Sequence, residues 1–377
     1  MNEKLLLGHI RDSALVSRAE LARLTGLSKP TVSLALTSLE QAGLVQASGV
    51  RTGTPGPNPV LYEVRPDAGY VLALDVGREY VRGAVSDVAG TVRARESLHL
   101  RATTRRGRVA GLTRLAGRLC DKVGLAVDDM VQTVLGSPGV YDPGRDALSL
   151  AGALEGWGEP QLLSDLRSAL GDSLMIENDV DAAALAEQAH GHGRGVQDFA
   201  FVSIGTGIGM GLVLDGRLRR GVKGAAGEIA YLPLQTEIAD QDDVSRRGGL
   251  EASASAAGIV EAARRCGMTR VSSARQVFDA ARRGDKRAER VVAAETVLIA
   301  RALCSVIAVV DPQMVVLGGG IGKAEGLVEA VRAELAALWP VPIDVRVSAL
   351  GVDAVVDGCL ASGVSRAWEL ITNTDRR

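Results

Sequence analysis

The sequence predicts an α/β protein in two parts, a small N-terminal module and a larger domain of alternating strands and helices. Residues 1–65 show three short helical patterns followed by two short strand patterns. After residue 70, apolar strand segments end in glycine-rich turns and alternate with helical segments. The chain has 377 residues and is 46% apolar, enough for two or three compact units.

The overall composition indicates a reduced, cytoplasmic protein. The formal net charge of -2 predicts no general affinity for polyanions, so any contact with nucleic acid must be a local patch. The four cysteines are scattered and form no C-x-x-C pair, which favours reduced thiols. We find no apolar leader and no segment of membrane-spanning length, and therefore expect no membrane association.

The first two helices of the small module have clear signals. Residues 2–13 carry apolar side chains at helical spacing. Ser17 and Glu20 form a capping box, which predicts that the second helix begins there. Gly26 is a natural end for this helix because glycine adopts the left-handed conformation of a helix terminus without strain.

The third helix and the following strands complete a winged helix-turn-helix pattern. Ser28 is the expected N-cap, and Gly43 is the expected stop. The helix has a buried stripe of Val32, Leu36 and Leu39. Residues 44–47 and 60–64 then predict two short strands on either side of a loop rich in glycine and proline.

Short polar side chains on the third helix suggest that the small module binds double-stranded DNA. They lie off the apolar stripe, as groups that meet phosphates and base edges should. These residues are Ser28, Lys29, Thr31, Ser33 and Thr37, with Arg51 in the predicted wing. A generic three-helix module that binds protein is the alternative, and periodicity does not exclude it.

The basic excess of this module is small, with seven Lys or Arg against five Asp or Glu in residues 1–65. We therefore expect modest affinity for each module and a homodimer, or a dimer of dimers, on DNA. A two-fold dimer predicts an operator that is an inverted repeat.

Two glycine-rich turns are prominent in the large domain, and the first of them could receive a phosphate. The first joins two apolar strands and the second follows the strand 314–317; they contain Gly205, Thr206 and Gly207, and Gly318, Gly319 and Gly320. Glycine allows close backbone approach, and exposed N–H groups with a hydroxyl suit an anion. A tight β-hairpin without a ligand is the alternative for the first turn.

The segment 199–233 reads FAFVSIGTGIGMGLVLDGRLRRGVKGAAGEIAYLP and closely resembles the signature of the ROK family (repressors, open reading frames, kinases). The N-terminal stretch SRAELARLTGLSKPTVS is similar to that of ROK repressors. The resemblance implies the two-lobed actin-like ATPase fold of sugar kinases in residues 70–377, after the winged helix-turn-helix of residues 1–65. Lobe 1 would comprise residues 70–184 with the C-terminal helix 355–377, and lobe 2 residues 185–354.

The resemblance also implies that the run Gly318, Gly319 and Gly320 corresponds to the adenosine motif of the family. It further implies a ligand pocket between the lobes. In ROK kinases the residue matching Asp179 is the general base, and the residue matching Asn178 binds the sugar. Asp179 would equally serve as a helix N-cap. The effector-binding residues that we expect are Asn178, Asp179, Glu228, Tyr231 and Glu251. A sugar or sugar-derived effector follows from this resemblance.

Several departures from the family pattern predict that the kinase activity is lost. The phosphate turn of the kinases reads roughly D-x-G-G-T-K, whereas this chain has Glu79 at the hydroxyl position, where an anion would repel phosphate. We therefore expect Asp179 to be a vestige of the general base and no residue to be catalytic. Ala153 replaces the asparagine that many sugar-binding relatives have four residues before the tryptophan.

Zinc ligands of the family are also missing. Tyr231 replaces the histidine, and the cysteine positions align with Asp242, Val244 and Gly249, so we expect no metal and no cofactor. The sequence thus predicts a DNA-binding transcriptional regulator, a repressor in type, without kinase activity. The alternatives are an ATP-dependent sugar kinase with an appended DNA-binding module and a non-catalytic interaction scaffold.

Overall fold

A computed structural model describes residues 2–13, 15–50, 58–152, 154–234 and 241–373. Arg51, in the predicted wing, and Ala153 lie outside the described residues.

The N-terminal module has the predicted helices and strands. Its elements are α1 (Asn2–Ser13), β1 (Val16–Ser17), α2 (Arg18–Thr25), α3 (Lys29–Gln41), β2 (Val45–Val50) and β3 (Val60–Val64). The capping box is present, because the Ser17 side chain accepts from the Glu20 N–H while the Glu20 side chain accepts from the Ser17 N–H. Strands β1 and β2 pair antiparallel with opposite edges of β3. This arrangement is a winged helix-turn-helix.

The large domain begins with a mixed sheet, called here the first sheet, in the strand order β10-β7-β4-β5-β6. Its elements are β4 (Tyr70–Val76), β5 (Tyr80–Asp87), β6 (Val92–His99), α4 (Arg105–Val123), β7 (Gln132–Ser137), β8 (Val140–Asp142), β9 (Ala147–Ser149), α5 (Leu162–Leu170), β10 (Leu174–Asn178) and α6 (Asp179–His190). Strands β4, β5 and β6 form an antiparallel meander. Strand β7 pairs in parallel with β4, and β10 pairs in parallel with β7.

The second sheet has the order β13-β12-β11-β14-β15. After α6 the chain forms the strands of this sheet and the remaining helices, which are β11 (Phe199–Ile204), β12 (Ile208–Leu214), β13 (Arg217–Leu218), α7 (Gln241–Arg247), α8 (Gly249–Ala254), α9 (Ala256–Arg265), α10 (Ala274–Arg282), α11 (Lys286–Val310), β14 (Met314–Gly318), α12 (Gly319–Gly322), α13 (Leu327–Leu338), β15 (Asp344–Val347) and α14 (Ala354–Asn373). Its first three strands are again an antiparallel meander, followed by two parallel strands. The two sheets therefore share one topology, a repeat that the sequence does not reveal.

Helix α14 connects the far end of the chain to the first sheet. It packs against β4, β7 and α6. A Cβ atom on Gly363 would lie 2.5 Å from Val71, which shows how closely the helix approaches β4. The indole N–H of Trp368 donates to the Val88 carbonyl at 2.8 Å. One apolar cluster runs from α14 and the first sheet into the core of the winged helix-turn-helix.

Among the described helices, α11 is long and apolar enough to cross a membrane, so the expectation that no segment has membrane-spanning length is wrong. More than half of its apolar stretch is buried inside the domain, where it packs against α10 and α13. Core helices of globular domains commonly have this character.

Candidate functional site

The predicted DNA-binding residues of the N-terminal module lie along α3. Ser28 is the N-cap, and its hydroxyl lies 2.8 Å from that of Thr31. Lys29 and Thr37 are exposed, and Ser33 is half-buried. The structure thus places these five side chains at the start and along the outer part of one helix, with two of them engaged with each other.

Leu34 is an exposed residue of α3 that the sequence reasoning missed. Its side chain is 75% exposed, while the neighbouring Val32, Ala35 and Leu36 are buried. The signal was available, because Leu34 lies off the buried stripe at helical spacing. An apolar side chain in the middle of the exposed face of a recognition helix can contact the methyl group of thymine in the major groove.

The first sheet brings polar side chains together at the carboxyl ends of its parallel strands. Asp75 pairs in register with Gly136, and Asn178 with Ser137. Ser137 accepts a hydrogen bond from the buried indole of Trp157 at 2.8 Å. This edge of the sheet faces the start of α6, because α6 follows β10 directly.

Asn178, rather than Asp179, is the N-cap of α6. Its side-chain oxygen accepts from the N–H groups of Val180 at 2.9 Å and Asp181 at 3.0 Å. Its amide group donates to the Gly139 carbonyl at 3.1 Å. The alternative role of Asp179 as the cap is therefore wrong, because β10 pairs with β7 through Asn178 and α6 begins one residue later. Much of the hydrogen-bonding capacity of Asn178 is engaged in this cap.

Asp179 and Asp75 are electrostatically coupled. Burial raises the pKa of Asp179, although its carboxylate accepts from the Val180 N–H at 2.9 Å. Burial, followed by the negative charge of Asp179, raises the pKa of Asp75 to about 7. Arg82 opposes that shift through an ion pair with Asp75 at 3.3 Å. A raised pKa is typical of carboxylates held together at a site.

Glu228 and Glu251 approach the same region from the second sheet. Glu251 accepts a hydrogen bond from the Ile208 N–H at 2.9 Å, at the end of the first glycine-rich turn. Burial raises the pKa of Glu251. Burial, then the charges of Asp179 and Glu251, raises the pKa of Glu228 to about 7. The structure therefore brings Asp179, Glu228 and Glu251 together.

Tyr231 lies beside these carboxylates with its side chain 41% exposed. Its hydroxyl donates to the Arg246 carbonyl at 3.3 Å. Burial, followed by the charge of Glu228, raises its pKa. The phenol is thus held against α7, while part of the ring remains exposed.

The two glycine-rich turns meet because β11 and β14 are parallel neighbours, with Ser203 opposite Gly318. A Cβ atom on Gly205 would lie 3.6 Å from the backbone nitrogen of Gly320. Gly319 has a φ of 76°, which disfavours other residues, and Thr206 is exposed. Gly207 lies against the Glu251 carboxylate. The loops expected to hold a nucleotide therefore lie side by side.

The turn after β4, which contains Glu79, is held by hydrogen bonds within its backbone and from an arginine of α4. The Gly77 N–H donates to the Tyr80 carbonyl at 2.9 Å, and Glu79 is exposed. Beneath the turn, the buried Arg108 donates to the carbonyls of Gly77 at 3.1 Å and Arg78 at 3.3 Å. Arg108 is therefore buried, although it lies in a helix rich in arginine.

The residues at the aligned zinc positions do not fit zinc. Tyr231 is engaged with the Arg246 carbonyl, and Val244 and Gly249 supply no thiolate or imidazole. Within the described residues, no group of three or more His, Cys, Asp or Glu side chains is placed to hold a metal ion. The adjacent Asp243 instead pairs with Arg246 at 2.8 Å and with Arg247.

Three further charged residues join the site without having been predicted as ligand contacts. Glu177 is buried and forms a two-pronged ion pair with Arg220, which follows β13. Asp181 is buried on α6. Burial, followed by the charge of Glu177, raises the pKa of Asp181 to about 8. Glu177 and Asp181 flank the predicted Asn178 and Asp179 in the sequence, whereas Arg220 lies far from them in the chain.

Comparison with protein families and curated proteins gives consistent matches. The model of the ROK family matches residues 71–352, and that of the MarR family matches residues 1–52. The xylose repressor of Bacillus subtilis is 26% identical over 241 residues, which cover 62% of this chain and 60% of that protein. The N-acetylmannosamine kinase of Salmonella heidelberg is 31% identical over 188 residues, covering 50% of this chain and 63% of the kinase. The chain thus matches less than two thirds of the length of these relatives.

Two solved structures share the fold. The ROK hexokinase of Thermus thermophilus is 27% identical, covers 80% of this chain and 99% of its own, and has a TM-score of 0.68. A ROK family transcriptional regulator described as a homologue of the E. coli MLC protein is 20% identical and covers 98% of both chains, with a TM-score of 0.78. The similarity to the regulator extends over both the winged module and the large domain, so the two chains share the whole fold. Because the family model matches most of its length, this chain belongs to the ROK family.

Proposed function

We propose that this protein is a DNA-binding transcriptional repressor that responds to a carbohydrate-like effector bound between the two sheets. The observation that carries the proposal is the winged helix-turn-helix, whose outer helix α3 exposes Lys29, Leu34 and Thr37. Relatives named xylose repressors support both the repressor role and a sugar-type effector. As a gene regulator it would work in the cytoplasm.

DNA recognition would use a homodimer or a dimer of dimers. One α3 helix reads a few base pairs, and two copies related by a two-fold axis double the contact with DNA. The operator would then be an inverted repeat, with half-sites separated by one or more helical turns. Arg51 remains a proposed backbone contact from the wing.

Coupling between effector and DNA would run through α6 and α14. Asp179 begins α6, and a Cβ on Gly358 of α14 would overlap the carbonyl oxygen of Ala182 on α6. At its far end, α14 reaches the joint with the winged module, where a Cβ on Gly69 would lie 3.3 Å from Ile371. A ligand that shifts α6 would therefore also shift this joint, and DNA affinity would change by the difference in ligand affinity between the two states.

We propose further that phosphoryl transfer is lost. Such transfer depends on positioning and on neutralising negative charge, and the turn after β4 offers the carboxylate of Glu79 in place of the expected hydroxyl. ATP binding without transfer is compatible with the adjacent glycine-rich turns. An ATP-dependent sugar kinase with an added DNA-binding module is the second candidate, which the preserved Asp179 and the N-acetylmannosamine kinase relatives favour.

The experiment that tests the proposal is selection of genomic DNA fragments by the purified full-length protein, repeated with a panel of sugars. We expect enrichment of an inverted repeat and its release by at least one compound. A protein that enriches no sequence would be better described as an interaction scaffold, and the proposal would be wrong.

A further inference from the structure

Leu34 is the most exposed large apolar side chain in the described part of the N-terminal module. Its residue surface is 75% exposed, compared with 44% for Leu5 on α1 and 45% for Leu24 on α2. Single exposed leucines are common on protein surfaces and mean nothing by themselves. What distinguishes Leu34 is its position on α3, the helix that the proposed function assigns to DNA recognition.

Leu34 lies on the side of α3 that is opposite the core of the module. Because an α-helix turns by about 100° per residue, Leu34 lies about 160° around the helix from both Val32 and Leu36. Those two side chains are fully buried. Pro30 and Thr37, which are within about 60° of Leu34 around the helix, are both exposed. Pro30, Leu34 and Thr37 therefore form the outer face of α3, with Leu34 at its centre.

The other side chains of α3 leave the centre of this face without a group that forms paired hydrogen bonds with a base. Arg, Lys, Asn and Gln form such pairs most often. In α3 these types occur only as Lys29, the first residue, and Gln41, the last. A hydroxyl group such as that of Thr37 can both donate and accept, so it discriminates weakly between bases. The strongest base preference available at the centre is therefore that of Leu34 for an apolar group.

The start of α3 supplies groups that suit the phosphate backbone instead. Lys29 is exposed, and the positive end of the helix dipole lies beside it. Leu34 follows five residues later, about 7.5 Å further along the helix axis. No charged residue of α3 lies within one turn of Leu34 on either side. With Lys29 at the backbone, the centre of the outer face would meet the base edges in the major groove.

We propose that Leu34 determines specificity by contacting the 5-methyl group of a thymine, so that each half-site of the operator carries an A·T pair opposite the centre of α3. The inference rests on the proposed function, because it names the base that the DNA-binding helix reads. The thymine methyl is the apolar group that unmodified base pairs present in the major groove. Contact with Leu34 removes apolar surface of both partners from water and stabilises the complex. A G·C pair at the same position would offer Leu34 only polar groups.

The test is fluorescence anisotropy on the full-length protein with variants of the selected operator. Each thymine is replaced in turn by deoxyuridine, which pairs in the same way but lacks the 5-methyl group. For the parent, we expect one position in each half-site at which this replacement weakens binding by about threefold to tenfold, because one buried methyl contact is lost. Leu34→Ala should bind the operator more weakly than the parent does. It should also bind the thymine and deoxyuridine duplexes equally at that position.

Two further variants complete the comparison. Leu5→Ala is the matched control, because Leu5 is an exposed leucine of α1, outside α2 and α3, and this variant should keep the full preference for thymine. Leu34→Val keeps a smaller apolar side chain, so it should bind the operator with a reduced preference for thymine. Because most of the Leu34 surface is in solvent, both substitutions of Leu34 should change the thermal midpoint little.

The outcomes separate this inference from the proposed function. If no replacement by deoxyuridine weakens binding by the parent, or if Leu34→Ala and Leu34→Val keep the full preference for thymine, the inference is wrong. Parental operator affinity in Leu34→Ala would assign the exposed leucine to a protein partner and would also contradict it. In each of these cases the parent still binds its operator, so the proposed repressor role stands. A parent that binds no sequence specifically would contradict the proposed function, and this inference with it.

Discussion

Arg220 and Glu177 form an ion pair that joins the two sheets of the large domain. The Arg220 Nε donates to Glu177 at 2.9 Å, and a second guanidinium nitrogen donates to the other carboxylate oxygen. Glu177 is buried at the end of β10, whereas the Arg220 side chain is 47% exposed. The buried partner therefore depends on the exposed one for its counter-charge.

Removal of this guanidinium should destabilise the large domain. We expect Arg220→Ala to reduce the free energy of unfolding by about 1–3 kcal/mol, because Glu177 stays buried without its partner. Urea unfolding measures this change. Arg167→Ala, which breaks a surface pair with Asp146, is the control and should cost about 0–1 kcal/mol. Equal losses in the two variants would contradict the assigned role of the Arg220 pair.

The contact between α6 and α14 requires a glycine. A Cβ on Gly358 would overlap the Ala182 carbonyl, so we expect Gly358→Ala to lower the thermal midpoint and to weaken any effect of ligand on DNA binding. Gly117→Ala on α4 is the matched control, because nothing lies within 4 Å of its Cβ position. The control should stabilise by up to about 1 kcal/mol through helix propensity. A harmless Gly358→Ala would disprove the close contact.

Stability should depend on pH through Asp181. Its pKa is raised to about 8 in the folded protein, so folding favours the protonated carboxyl. Its stabilising contribution is complete below the unfolded pKa of about 4 and is lost as the pH rises through about 8. Thermal midpoints of the parent should therefore fall more between pH 5 and pH 8.5 than those of Asp181→Asn, which cannot ionise.

The control for this pH effect is Asp146→Asn. Arg167 lowers the pKa of Asp146 to about 2, so the ionisation of that group is complete well below pH 5. The difference between this variant and the parent should be constant from pH 5 to pH 8.5. If Asp181→Asn behaves in the same way, the carboxyl is not buried as described.

Phosphoryl transfer should be absent. We expect no ATP-dependent phosphorylation of glucose, N-acetylglucosamine or other hexoses above the level of an Asp179→Ala sample, because Glu79 adds negative charge where phosphate would bind. A coupled assay for ADP release with each sugar measures this. Sugar-dependent turnover that Asp179→Ala abolishes would establish the kinase alternative.

Features that depend on neighbouring residues could be predicted from the sequence. The caps at Ser17 and Ser28 are examples, because the cap and the N–H it binds are three residues apart. The choice between Asn178 and Asp179 as the cap of α6 could not be predicted. Both side chains suit the role, and the outcome depends on the pairing of β10 with β7.

Hydrogen bonds and ion pairs between residues far apart in the chain also could not be predicted from the sequence. Glu177 and Arg220 lie 43 residues apart, and Arg108 reaches the turn at Gly77 from a different element. Helical periodicity identifies which positions face inward, but it does not tell which distant carbonyl or carboxylate a buried arginine will meet. The shared topology of the two sheets could not be predicted either. It depends on how the strands pair, and two dissimilar sequences can form the same strand order.

The central claim is that α3 recognises an operator. It is tested most directly by fluorescence anisotropy with the selected inverted repeat and a scrambled duplex, comparing the parent with the Lys29→Ala, Thr31→Ala double variant. We expect specific binding by the parent and its loss in the variant, with a thermal midpoint close to that of the parent because Lys29 is exposed and Thr31 half-buried. Unchanged operator affinity in the folded variant would contradict the account.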